Sequence, residues 1–110
     1  MINLMEYNCD ALIENISNRH LKALVKWIFE TKKSFIMFET NKHKWIIFEI
    51  MSFDKRKNDL SIKLQCHNKI PAIYAEDAWG SVNLFYENKI IPTSYVKLLD
   101  SFDEGMEYML

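Results

Sequence analysis

A helical start, about five strands and a helical end predict an α+β domain with a mainly antiparallel sheet. Three observations lead there. Residues 17–29 carry apolar side chains at helical spacing. Residues 34–87 break into short runs rich in aromatic and β-branched side chains, two of which alternate. The connections between these runs are too short for the crossovers that parallel strands need.

The N-terminal third reads as one kinked helix or as two. Asn8 or Asp10 can cap a short helix carrying Leu12, Ile13 and Ile16. Ser17 or Asn18 can cap a second, in which Leu21, Leu24, Val25 and Ile28 follow the i, i+3, i+4, i+7 pattern of one buried face. Trp27 and Phe29 are expected to widen that stripe.

Ser34–Glu39 and Lys44–Phe53 read as strands separated by a polar turn. Both are apolar at nearly every position, which predicts central strands covered on both faces. Asp54–Asp59 reads as a charged loop. Leu60–His67 then alternates, with Leu60, Ile62, Leu64 and Cys66 set against Ser61, Lys63, Gln65 and His67. Ile70–Ala75 makes a short strand with Pro71 near its start, where a missing N–H is tolerated. Glu76–Gly80 is a loop, Ser81–Glu87 alternates again, and Asn88-Lys89 is a turn.

After Pro92, Thr93 or Ser94 is expected to cap a final helix with Val96, Leu99 and Phe102 inward, ended or bent by Gly105. Helices at the two chain ends are then expected to cover one face of the sheet.

A chain of 110 residues is one domain, 1–110. Seven phenylalanines, five tyrosines and three tryptophans supply a core without staples. Two glycines and two prolines exclude a disordered or collagen-like chain. Cys9 and Cys66 suit reduced, packed thiols better than a disulfide framework. Glu6 and Asp10 stand where a secretory leader carries basic residues, and no apolar run approaches the roughly 20 residues that span a bilayer. The cytoplasm is the expected compartment, with no membrane contact.

Enzyme motifs are missing. There is no glycine-rich phosphate loop, no GxSxG, no HExxH and no paired CxxC. Cys66 and His67 are adjacent on a strand and point to opposite faces, so they chelate one ion poorly. A nucleophile at Cys66 would need a histidine and an orienting acid such as Glu76 or Asp77, yet Cys66 falls on the apolar side of its strand. His67 with His20 or His43 would be the acid–base pair of an RNase-type reaction, but three histidines at this length are ordinary. The reading is a non-enzymatic protein without metal or cofactor.

Charge is unevenly distributed. Residues 31–70 hold nine basic and four acidic side chains, and residues 71–110 hold two basic and seven acidic. In the basic segment, Lys42, Lys44, Lys55, Arg56, Lys57 and Lys63 accompany Trp45 and Phe53, the composition of a single-strand nucleic-acid binder. The sequence pI of 6.3 argues against that use.

In the acidic segment, Glu76 and Asp77 adjoin Trp79 in a loop. Asp100, Asp103, Glu104 and Glu107 keep the spacing of one helix face. On a helix begun near residue 93 they lie toward its C-terminus, where the macrodipole disfavours anions. A placement that costs stability suggests a surface kept for binding. These seven residues are the candidate partner-binding site. They fit an immunity-protein-like inhibitor whose carboxylates meet a basic toxin or nuclease. The alternative is a nucleic-acid-associated or phage regulatory protein using residues 42–63.

Overall fold

Asn8 and Asn18 each start a helix. The Asn8 side chain accepts from the Ala11 amide at 3.0 Å and opens α1, Cys9–Ile13. The Asn18 side chain accepts from the Leu21 amide at 3.1 Å and opens α2, Arg19–Thr31. Between them the chain turns at Asn15, held at φ 60°, a left-handed conformation that asparagine tolerates better than most residues. The N-terminal region is therefore two helices, preceded by a 3-10 turn over Leu4–Glu6. The computed structural model of the chain describes residues 1–40, 45–66, 71–75, 82–86 and 89–109.

Six strands follow: β1 Phe35–Thr40, β2 Trp45–Arg56, β3 Asp59–Cys66, β4 Pro71–Ala75, β5 Val82–Tyr86 and β6 Lys89–Leu99. Each pairs antiparallel with the next, and β6 returns antiparallel to β1, closing a barrel. The closing register sets Phe35 opposite Leu99 and Phe38 opposite Val96. The last helix, α3, spans Phe102–Met109.

The α+β class and the antiparallel pairing are as the sequence predicts, whereas the strand count and helix placement match it only in part. Residues 89–99, expected to be turn and then helix, form the sixth strand. Val96 and Leu99 satisfy a three-residue helical step, but the antiparallel ladder with β1 decides the conformation. Pro92 sits in this strand opposite Asn83 of β5. Its missing N–H is tolerated because pairing with β1 reaches only to Thr93. The expected loop 54–59 is also mostly strand, since the β2–β3 ladder runs to the Arg56–Asp59 pair and leaves only Lys57 and Asn58 to turn.

β2 looks apolar throughout because Ile47 is buried on one face, the other face is buried too, and an irregularity adds Phe53 to the latter. Between Ile50 and Ser52 its register shifts against β3. Such a bulge advances the alternation by one residue. Ile46, Phe48 and Ile50 face one cluster, and after the bulge Phe53 joins the same cluster. Met51 is left 37% exposed.

The helices lie on opposite faces of the strands, not on one. In α2, Leu21, Leu24, Val25 and Ile28 are buried against Ile36, Phe48, Ile50, Ile62 and Leu64. Burying each such side chain contributes roughly 1.5–3 kcal/mol. On the other face, Met37, Ile47 and Leu99 form a second cluster with Phe35 and with Phe102 of α3. Gly105, expected to end or bend the last helix, lies inside α3. A Cβ there would come 2.6 Å from Cδ1 of Ile47 and 2.8 Å from Cδ1 of Leu99. Hydrogen at this position is what lets the helix approach so closely.

Trp27 does not widen the α2 stripe and is 42% exposed. Phe29 does pack inward, stacked on Phe53 with centroids 5.8 Å apart, while Tyr7 meets Phe53 edge-on at 5.1 Å. No described helix is long and apolar enough to cross a membrane.

Candidate functional site

The candidate acidic face is built on the turn between β6 and α3. Ser101 precedes the helix, and its hydroxyl accepts from the Glu104 amide at 3.1 Å. The Glu104 carboxylate reaches back and accepts from the Asp100 amide at 2.6 Å. This is a capping arrangement of the S-x-x-E type, displaced by one residue on the return bond. It gives Glu104 a structural task.

The late start of α3 changes the electrostatics. Asp103 and Glu104 lie in its first turn, where the positive end of the macrodipole favours carboxylates. Asp100 lies before the helix. The expectation that all four acids share a helix face near its C-terminus is therefore corrected, and with it the idea that all four oppose folding. Only Glu107 falls in the last turn.

The four acids still lie close together in the chain, one just before α3 and three within it. The Asp100 side chain is 75% exposed and stands 4.0 Å from the Lys33 ammonium, a pair of small energetic weight at such exposure. Asp103 and Glu107 are exposed one turn apart, and Glu104 is half-buried. Between them Met106 is 38% exposed. The sequence reading missed Met106. The signal was present, since it stands three residues after Asp103 and next to Glu107, on the flank of the face that Phe102 and Gly105 turn inward. Glu76, Asp77 and Trp79, the second part of the candidate site, lie outside the described residues.

The basic segment is partly engaged within the molecule. The Arg56 guanidinium lies 3.6 Å from the Asp54 carboxylate, and the Lys55 ammonium donates to the Glu14 carbonyl. Phe53 is 7% exposed and held between Phe29 and Tyr7, so it offers no face to a base. Lys42, Lys44, His43 and His67 lie outside the described residues, as do the side chains of Trp45, His20 and Cys66.

Cys9 is a free, half-buried thiol. Burial pushes its pKa up, the charges of Asp10 and Glu30 add to the effect, and Lys26 opposes it. A thiol held protonated is a poor nucleophile. Among the described residues no three His, Cys, Asp or Glu side chains gather as a metal site. Comparison of the chain with protein-family models, curated proteins and solved structures finds no match.

Proposed function

We propose that this protein is a non-enzymatic binding module of the immunity-protein type, acting in the cytoplasm and neutralising a basic toxin or nuclease through its acidic surface. The observation that supports the reading is the outer side of α3. Glu107 is an exposed anion in the last helical turn, one turn from the like charge of Asp103, and an exposed methionine lies between them. Neither capping nor the macrodipole accounts for that combination. Repulsion at this spacing costs a few tenths of a kcal/mol. A partner cleft lined by Lys and Arg would take the carboxylates, gaining chiefly in association rate, while Met106 supplies an adaptable apolar contact. Asp100 extends the patch, and Glu76, Asp77 and Trp79 belong to the proposal on sequence grounds.

The test is a quantitative pull-down from the native host at two salt concentrations, using the parent and an Asp103→Asn/Glu107→Gln variant. The variant should keep its melting temperature within the effect of about 0.5 kcal/mol expected of a surface change. It should capture less of a basic partner and lose salt dependence. Equal capture by both proteins would refute the α3 face. Nucleic acid in the eluate, with retention on heparin that the variant does not alter, would favour the alternative surface around residues 42–63.

A further inference from the structure

A groove of about 580 Å³, broadly open to solvent, lies between the N-terminal segment and the end of α2. Ile2, Leu4, Met5, Tyr7 and Phe29 supply its apolar walls. The two rings are fixed by their contacts with Phe53, so this wall is formed before any ligand arrives. The size lies within the range of small-molecule sites. Met5, at the mouth, is 94% exposed, an unusual setting for a large apolar side chain.

The rim carries the second observation. Lys32 ends α2 in the left-handed conformation, φ 56°, with its amide donating to the Ile28 carbonyl at 2.8 Å. Glycine is the ordinary residue at this position, with asparagine the usual substitute. Asn15 holds the equivalent conformation after α1. Lys32 instead places a long cationic side chain at a strained position on the lining of an apolar groove. It is exposed and has no ion-pair partner among the described residues. A residue that breaks a local rule beside a groove points to what the groove holds.

We propose that this groove binds an amphipathic carboxylate of the free medium-chain fatty-acid class. The tail lies against Leu4, Met5 and Phe29, and the head pairs with the Lys32 ammonium. Asp10 also lines the groove and opposes an anionic head, so it limits affinity. Cys9 on the wall serves as a reporter, because a bound ligand shields its thiol from alkylation.

The experiment titrates the full chain with decanoate, decylamine and decanol, below the concentrations at which they micellise. Binding is read by calorimetry and by mass spectrometry of the alkylated Cys9 peptide. Decanoate should bind saturably, protect Cys9 and outcompete decylamine. Lys32→Gln should weaken decanoate about tenfold, as expected for loss of a charge-assisted contact, with little change for decanol. Asp10→Asn should tighten decanoate. Lys32→Gly should raise the melting temperature by relieving the backbone, while losing the preference for the carboxylate. Leu4→Trp, which fills the groove, should abolish binding of all three probes. Absence of saturable binding, decylamine binding as tightly as decanoate, or decanoate unaffected in both Lys32 variants would each overturn the proposal.

Discussion

α2 brings four branched side chains to the strands it covers, whereas α3 brings one large ring, Phe102, and a glycine. The first contact is held by volume: Leu21, Val25 and Ile28 are fully buried, and Leu24 nearly so. The second is held by closeness, since the backbone at Gly105 sits where a methyl group would strike Ile47 and Leu99. The two faces of one set of strands are thus sealed by different means, and each should fail in its own way. A volume-filled contact fails by cavity. A close contact fails by overpacking.

The largest expected effect is on the α2 side. Ile28→Ala should cost about 2–5 kcal/mol, the usual range for truncating a buried aliphatic side chain. Chemical denaturation should show a lower midpoint with little change in slope. A loss below about 1 kcal/mol would mean that this helix is not sealed by volume.

An intermediate effect is expected at Gly105. Alanine is the better helix former by up to about 1 kcal/mol, but overpacking costs about 1–3 kcal/mol, so Gly105→Ala should destabilise by roughly 1–2 kcal/mol. Ile47→Val removes the Cδ1 atom nearest the added methyl. The double variant should then lose less than the two single variants together, by at least about 0.5 kcal/mol. Strict additivity would show that the close approach is not what constrains the residue.

The smallest effect belongs to the cap. Ser101→Ala removes the acceptor for the Glu104 amide and should cost about 1 kcal/mol, seen as a modest fall in melting temperature. No effect would place the start of α3 elsewhere and reopen the electrostatic account of its acids.

How much of this was legible in the sequence depends on whether local pattern and pairing agree. β3 could be read because Leu60, Ile62 and Leu64 alternate without interruption and are all buried. The α2 core face could be read because its spacing matches one helix stripe. Trp27 lies off that stripe for a reason its angle shows. At 100° per residue it stands roughly 110° from the centre of that stripe, on its flank. β6 could not be read locally. Its residues fit a helical step as well as a strand, and what decides between them is a partner strand more than fifty residues earlier. Misplacing β6 carried the acids with it, since the start of α3 determines whether Asp103 and Glu104 help or hinder the helix. Lys32 and the groove left no periodic signal, because they depend on a backbone angle and on the packing of the N-terminal segment.

The closure of β1 on β6 also bears on how the chain is made. Phe35 pairs with Leu99, so the ring stays open until β6 has followed β1 out of the ribosome. Until then β1 presents an unpaired edge next to apolar strands, a template for pairing with other chains. Contacts this distant in sequence also form slowly. Between the emergence of β1 and that of β6 the nascent protein is therefore in the state most open to aggregation, and the arrival of β6 ends that exposure at both edges together.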